Sequence, residues 1–168
     1  KNIGLIGCGN IAETYFRAEK YFNNINFVAC ADINLDAAKK TAEQYNIAAL
    51  SVDEILNERN VDIILNLTIP QAHYEISKRA LEANKHVYCE KPMSVKFDDA
   101  KELLNIAKKN SLYIGNAPDT FLGGGGQLSR NVIDNDDIGK ILTGNFIFAF
   151  PGVQDFHPSP ESWFQEGG

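Results

Sequence analysis

The residues best suited to chemistry in this sequence begin with a glycine turn. Gly7, Gly9 and Ala12 give the spacing G-x-G-x-x-A directly after a short apolar run. In such a turn the first glycine allows a tight bend, the second lets the backbone approach a pyrophosphate, and the third small residue packs a helix closely on a strand. The N–H groups at the start of that helix favour an anion. The spacing predicts a dinucleotide-binding loop, the alternative being a plain glycine turn of an α/β protein.

An acidic residue follows where a ribose ligand would need it. Asp32 ends the second apolar run, about 20 residues after the glycine turn, as the dinucleotide pattern requires. A carboxylate at this place accepts hydrogen bonds from the adenosine ribose, and it repels the 2′-phosphate of NADP. Asp32 therefore predicts NAD as the cofactor in preference to NADP.

A lysine stands where a hydride-transfer reaction needs a cation. Lys91 follows Glu90 directly after the fourth predicted strand, and the Lys91–Pro92 bond is a candidate for the cis form. Oxidising a secondary alcohol with NAD requires hydride transfer and removal of the hydroxyl proton, and a nearby cation stabilises the developing alkoxide. We therefore predict Lys91 as a catalytic residue, with Glu90 either orienting it or tuning its charge. The alternative is a solvated lysine before a proline turn.

Alternating strands and helices must position these residues. Apolar runs predict five strands, over 2–6, 26–31, 60–68, 86–89 and 111–115. The run at 60–68 is too continuous for a half-exposed strand, so it indicates a parallel sheet covered by helices. The predicted fold class is α/β with a doubly wound parallel sheet of the Rossmann type. The predicted buried stripes include Ile11, Tyr15, Ala18 and Phe22 in the first helix and Phe97, Ala100, Leu104 and Ala107 in a later one.

The sequence changes in character after Asn116. The four glycines at 123–126 predict a flexible connection, and a helix is predicted from Gln127 to about Asn135. A long strand is predicted over 141–150, where apolar and aromatic residues are frequent. Residues 151–168 show no clear period and are predicted as loop.

Composition excludes several classes of function. The chain has 168 residues and a net charge of −6, spread along the sequence, which argues against nucleic acid or a membrane surface as a partner. Its three cysteines, Cys8, Cys30 and Cys89, lack metal-ligand spacing and suit a reducing cytoplasm. No apolar run approaches the length of a membrane span, and the start does not resemble a signal peptide. We expect a cytoplasmic protein without a metal site.

Three motifs together resemble the glucose–fructose oxidoreductase, inositol dehydrogenase and rhizopine-catabolism (Gfo/Idh/MocA) family. They are Gly7-x-Gly9-x-x-Ala12, Asn66-Leu67-Thr68-Ile69-Pro70-x-x-His73 and Glu90-Lys91-Pro92. The resemblance implies an NAD(P)-binding Rossmann domain over 1–118. It also implies that 119–168 is the truncated start of an α/β domain for substrate binding and oligomerisation. Members of the family act on sugars, cyclitols or related polyols.

The resemblance also assigns roles to individual residues. His73 is assigned a cofactor contact on the nicotinamide side, and the alternative is a structural role. The implied cofactor contacts are Gly7, Cys8, Gly9, Asn10, Ile11 and Ala12 at the pyrophosphate, Asp32 and Ile33 at the adenosine ribose, Leu67, Thr68, Pro70 and His73 on the nicotinamide side, Glu90 and Lys91 between nicotinamide and substrate, and Asn116 at the end of the fifth predicted strand.

The resemblance implies that the main acid or base lies elsewhere. The family's usual catalytic histidine lies beyond the last residue of this chain, and His157 does not match it. We therefore expect this chain to bind NAD without turning over a substrate, and the longer enzyme to form a homo-oligomer. The alternative is a non-catalytic NAD-binding regulator or sensor with the same fold, since a fold alone does not decide function.

Overall fold

The computed structural model describes residues 1–117, 120–147 and 149. The chain divides into two compact units, Lys1–Ala117 and Pro118–Gly168. The described strands all belong to the first unit: β1 (Asn2–Ile6), β2 (Asn26–Ala31), β3 (Ala48–Leu50), β4 (Ile63–Asn66), β5 (His86–Cys89) and β6 (Ile114–Asn116). The α-helices of that unit are α1 (Ala12–Ala18), α2 (Leu35–Tyr45), α3 (Val52–Asn57), α4 (Pro70–Glu82) and α5 (Phe97–Lys109).

Local sequence signals explain where three of these helices begin. The Asn34 side chain accepts hydrogen bonds from the first backbone N–H groups of α2, and Ser51 with Glu54 forms a reciprocal capping box at α3. Both arrangements satisfy N–H groups that have no partner inside the helix. Pro70 occupies the first turn of α4, where a missing N–H costs nothing and the fixed φ suits the helix.

All strand pairs run parallel, in the order β3-β2-β1-β4-β5-β6. The strand order reverses between β1 and β4, which makes the crevice between their carboxyl ends the topological switch point of the sheet. The register also aligns the last residues of neighbouring strands in one row. Ile6 pairs with Ala31 and Asn66, Asn66 pairs with Cys89, and Cys89 pairs with Asn116.

The core consists of two clusters on opposite faces of this sheet. Leu5 belongs to one cluster and its neighbour Ile6 to the other, as the alternation of a strand requires. The Leu5 cluster includes α1 and α2 through Ala12, Phe16 and Ala42. The Ile6 cluster includes residues of α3, α4 and α5. The predicted doubly wound parallel sheet of the Rossmann type is therefore confirmed.

Two details of the prediction were wrong. The short strand β3 was not predicted, because Ala48, Ala49 and Leu50 lack the β-branched pattern of a strand. The buried faces of two helices also differ in part from the predicted stripes, although Ala107 is buried as predicted. Phe16 is buried in α1 while Ile11 and Phe22 are exposed, and Leu103 is buried in α5 while Phe97 and Leu104 are exposed.

The second unit contains a described helix, α6 (Gly124–Asp134). The glycine run is therefore not the flexible connection that was predicted, since Gly123 caps α6 and the next three glycines form its first turn. The strand predicted over 141–150 is absent at 141–147 and 149, because an extended segment needs a paired neighbour to form a ladder. Phe148 and Phe150 lie outside the described residues, as does 151–168 with His157.

No helix within the described residues is long and apolar enough to cross a membrane.

Candidate functional site

The row of strand ends collects the predicted site residues at one edge of the sheet. Nine of them lie at the last residue of a strand or within two positions after it: Gly7 and Cys8 after β1, Asp32 and Ile33 after β2, Leu67 and Thr68 after β4, Glu90 and Lys91 after β5, and Asn116 as the last residue of β6. Open α/β sheets bind their ligands at this edge, beside the switch point. The site residues are therefore brought together by register, although they are far apart in sequence.

The glycine turn is built so closely on β4 that its first residue must be glycine. Gly7 has φ +103, and a Cβ placed on it would lie 2.6 Å from the carbonyl carbon and oxygen of Leu67. Its N–H donates to the Ala31 carbonyl at 2.9 Å. A Cβ on Gly9 would meet nothing within 4 Å. Gly7 thus makes the turn, while Gly9 leaves open space above it, as the phosphate-loop prediction requires.

Asp32 joins this turn to the end of β2. Its two carboxylate oxygens accept from the backbone N–H groups of Cys8, at 2.7 Å, and Asn34, at 2.8 Å. A carboxylate has about four lone-pair directions, so two remain for ribose hydroxyls. The next side chain, Ile33, is 100% exposed and is free to contact a ligand beside Asp32.

The Cys8 thiol lies in the glycine turn, where it donates to the Ala31 carbonyl at 3.6 Å. A hydrogen bond with the Cys30 thiol lowers the pKa of Cys8 below its ordinary value, against the smaller opposing effect of burial. The same bond raises the pKa of Cys30, and burial raises the pKa of Cys89 to about 12. All three cysteines are free, and Cys8 alone among them is partly exposed. Since the thiolate is the reactive form, Cys8 is the preferred target of alkylation.

We expect iodoacetamide to modify Cys8 well before Cys30 and Cys89, and saturating NAD to slow that reaction. The reason is that a pyrophosphate in the glycine turn would cover the thiol. Mass spectrometry of peptides from a timed reaction, with and without NAD, measures both rates. Equal rates for Cys8 in the two samples would contradict a cofactor seated on this turn.

A buried polar network supports the end of β4. Asn66 is fully buried, and its amide donates to the His73 carbonyl and to the Ser77 hydroxyl, each at 3.0 Å. Its oxygen accepts from the Thr68 hydroxyl at 2.7 Å. Within the described residues, no buried side-chain nitrogen or oxygen atom lacks a hydrogen-bond partner. The bonds of Asn66 fix the backbone of the turn that follows β4. Leu67 and Pro70 are buried beside this network, whereas Thr68 is partly exposed.

His73 lies inside this network with both ring nitrogens engaged. The residue is 1% exposed. Its Nδ1 lies 2.6 Å from the Pro92 carbonyl oxygen and its Nε2 lies 2.8 Å from that of Thr68. It therefore ties the turn after β4 to the turn after β5. These contacts favour the structural role for His73 over a direct cofactor contact.

The Glu90–Pro92 turn, which is residues 90 to 92, contains a cis Lys91–Pro92 bond. The Glu90 carboxylate accepts from the Tyr15 hydroxyl at 2.8 Å and from the Lys91 backbone N–H at 3.0 Å. The Asn116 amide donates to the Glu90 carbonyl at 3.0 Å. The Glu90 carboxylate thus contacts the backbone of Lys91 and not the Lys91 ammonium group.

The Lys91 side chain is exposed. Within residues 1–117, no ion pair or hydrogen bond holds its ammonium group. A rigid backbone therefore carries a free cation at the carboxyl edge of the sheet. The sequence reasoning missed Tyr15 as part of this arrangement and treated it only as a core residue. Its contact with Glu90 joins residues 75 positions apart, so no local pattern signals it.

No group of three or more His, Cys, Asp or Glu side chains in the described part of the chain is arranged to hold a metal ion.

The sheet order, the glycine turn and the acidic residue after β2 define a nucleotide-binding domain of the Rossmann type. A family model described as "Oxidoreductase family, NAD-binding Rossmann fold" (GFO_IDH_MocA) matches residues 1–116. The chain belongs to this Gfo/Idh/MocA oxidoreductase family, and the family predicted from the motifs is confirmed.

Similar proteins include inositol 2-dehydrogenases. Inositol 2-dehydrogenase of Salmonella typhimurium is 29% identical over 146 residues, which cover 83% of this chain and 43% of that protein. Inositol 2-dehydrogenase of Azotobacter vinelandii is 34% identical over 108 residues, covering 62% of this chain and 32% of that protein. This chain spans well under half the length of such curated relatives.

Solved structures show the same fold with cofactor bound. The WlbA dehydrogenase from Chromobacterium violaceum, in complex with NADH and UDP-GlcNAcA, matches with a TM-score of 0.79 and 26% identity over 83% of this chain and 41% of its own. KijD10, a 3-ketoreductase from Actinomadura kijaniata in complex with NADP and TDP-benzene, matches with a TM-score of 0.75 and 26% identity over 83% of this chain and 44% of its own.

Proposed function

We propose that this chain is the cofactor domain of an NAD-dependent dehydrogenase that oxidises a sugar, a cyclitol or a related polyol. The observation that carries the proposal is the single row of strand ends. It places the Gly7–Ala12 turn, Asp32 and Lys91 on one edge of the sheet, on both sides of the switch point. A dinucleotide needs this order of a phosphate site, a ribose site and a reaction site.

The described residues fit NAD in three respects. The space above Gly9 is open, which suits close approach of a pyrophosphate to the backbone. Asp32 is fixed by two backbone N–H groups and retains acceptor capacity for a ribose. The cysteines are unpaired, as expected for the reducing cytoplasm in which NAD-dependent metabolism proceeds.

Lys91 is the group that we assign to the chemistry. Bound NAD would supply the hydride acceptor. The Lys91 ammonium group would stabilise the alkoxide that develops as the substrate hydroxyl loses its proton. Glu90, Asn116 and His73 hold the backbone of the turn that carries this lysine. A second domain, starting at about residue 119, would supply the main acid or base and the wall that positions the substrate.

The substrate class rests on the relatives. Inositol 2-dehydrogenases match this chain, and the WlbA dehydrogenase structure contains UDP-GlcNAcA. Both ligands carry secondary hydroxyl groups, which suit the chemistry assigned to Lys91. No described contact favours the non-catalytic regulator or sensor. A homo-oligomer of the longer protein stays a prediction.

We expect this chain to bind NAD more tightly than NADP. The Asp32→Ala variant should bind NAD more weakly, and the difference between its affinities for NAD and NADP should be smaller. Without the carboxylate, NAD loses the hydrogen bonds of its ribose to Asp32. A hydrogen bond to a charged group is worth roughly 1.5–3 kcal/mol, or about 10- to 100-fold in affinity. Calorimetric titration of both cofactors into both proteins measures the four dissociation constants.

Asp36→Ala is the matched control, since Asp36 is an exposed acid in the first turn of α2. It should leave the ratio of the two dissociation constants within about twofold, because exposed charges interact weakly in water and are screened by salt. Equal affinity of the unmodified chain for NAD and NADP would count against the assignment of Asp32.

A further inference from the structure

A hydrogen bond connects the helix after the glycine turn to the residue that precedes Lys91. Tyr15 lies one turn inside α1, and its hydroxyl donates to Glu90 Oε1 at 2.8 Å. The ring is partly buried and lies edge-on to Tyr88, with centroids 6.5 Å apart and planes inclined by 63°. Tyr88 belongs to β5, two positions before Glu90, so the contact between the rings holds the hydroxyl in place.

This bond spans the switch point of the sheet. The helix α1 follows β1, whereas Glu90 follows β5, and β4 lies between these strands. The other oxygen of Glu90 accepts from the Lys91 N–H. A continuous chain of contacts therefore runs from the tyrosine hydroxyl through one carboxylate to the lysine backbone, across the crevice where a dinucleotide would lie.

The bond is of the strong kind. A hydroxyl that donates to a carboxylate forms a charge-assisted hydrogen bond, roughly twice as strong as a neutral one. With Tyr15 removed, Glu90 would keep one local partner, the N–H of the next residue, and its side chain could rotate away from the crevice. The Lys91 backbone would then lose a fixed acceptor.

We propose that Tyr15 is a positioning residue that sets the place of Lys91 through Glu90. The proposal rests on the proposed function, since it assumes that Lys91 takes part in the reaction. Tyr15 acts on Lys91 through the Glu90 carboxylate, to which its hydroxyl donates. Its hydrogen bond keeps the glycine turn and the Glu90–Pro92 turn at a fixed distance from each other.

The first test uses nuclear magnetic resonance on this chain with Tyr15→Phe, which removes only the hydroxyl. We expect the backbone N–H of Lys91 to exchange with solvent about tenfold faster, the scale of one lost hydrogen bond to a charged group. Tyr45→Phe is the control, because the Tyr45 hydroxyl contacts Gln44 and its ring stacks on Phe16. An unchanged Lys91 exchange rate in Tyr15→Phe would overturn the proposal.

The second test measures turnover in the longer enzyme. Tyr15→Phe should lower kcat about tenfold with KM for NAD within about twofold, because the loss of one charged hydrogen bond misplaces a group used in the transition state. In a Lys91→Ala background the same change should have less than about a twofold effect, since residues that act as a unit are not additive. An equal loss in both backgrounds, or no loss in either, would overturn the proposal.

The two tests separate this proposal from the proposed function. Near-normal turnover of Lys91→Ala alone would refute the role of Lys91, and with it the role of Tyr15 in turnover. A low turnover of Lys91→Ala together with normal turnover of Tyr15→Phe would refute only the positioning role.

Discussion

Replacing Lys91 with alanine is expected to lower the turnover of the longer enzyme by roughly 10²-fold or more, the scale of a lost proton-transfer or charge-stabilising group. The side chain is exposed and is held by no partner within residues 1–117, so its loss should leave the fold intact. NAD affinity should change much less than turnover, because the cation acts on the substrate. Initial rates of NADH formation, with a cyclitol or sugar accepted by the unmodified enzyme, give the comparison.

Lys96→Ala is the control for this experiment. Lys96 is a second exposed lysine only five positions away, at the start of α5 and outside the Glu90–Pro92 turn. It should retain turnover within about twofold, as surface changes away from a site usually do. A Lys91→Ala enzyme with near-normal rates would return Lys91 to the role of a solvated lysine.

Gly7→Ala is expected to destabilise the first unit severely and to abolish NAD binding. The new Cβ would stand 2.6 Å from backbone atoms of Leu67 at φ +103. A side chain in such a conformation costs about 1–3 kcal/mol and overpacking costs about 1–3 kcal/mol. Together these are a large part of the roughly 5–15 kcal/mol that stabilises a domain. Chemical denaturation followed by circular dichroism measures the loss.

Gly9→Ala tests the space for the pyrophosphate separately from the stability of the fold. Its Cβ would meet no atom within 4 Å, so the free energy of unfolding should stay within about 1 kcal/mol, as for other unstrained changes of glycine to alanine. NAD affinity should still fall, because the methyl group occupies the space for the pyrophosphate. Unfolding at the same denaturant concentration for Gly7→Ala and the unmodified chain would contradict the account of this turn.

Periodicity and short motifs were enough to predict the frame of the sheet and its edge. Five of the six described strands coincide with predicted apolar runs. Asp32 and Lys91 lie just after the ends of β2 and β5, as those runs predict. Helix faces were harder to predict. Both α1 and α5 carry apolar residues at adjacent positions, such as Tyr15 and Phe16, and periodicity cannot tell which of the two meets the sheet.

The contacts that complete the site could not be predicted. The Tyr15–Glu90 bond and the contacts of His73 with two carbonyl oxygens connect separate turns. Such contacts depend on the sheet order, which brings the ends of β1, β4 and β5 together. The predicted Rossmann sheet places these strand ends at one edge. It does not specify which side chains of separate turns meet there, because those contacts depend on side-chain packing between residues far apart in sequence.

The central place of β1 has a consequence for the proposed cofactor site. This strand precedes both of its neighbours in the chain, and its partner nearer in sequence is β2, where Asn2 meets Asn26. Its other neighbour is β4, where Ile3 meets Ile63, and closing that longer loop carries a larger entropy cost. The pairing of β1 with β2 therefore closes a shorter loop than the pairing of β1 with β4. The crevice between the two halves of the sheet requires β4 to be docked on β1, so the proposed cofactor site depends on both halves and not on the glycine turn alone.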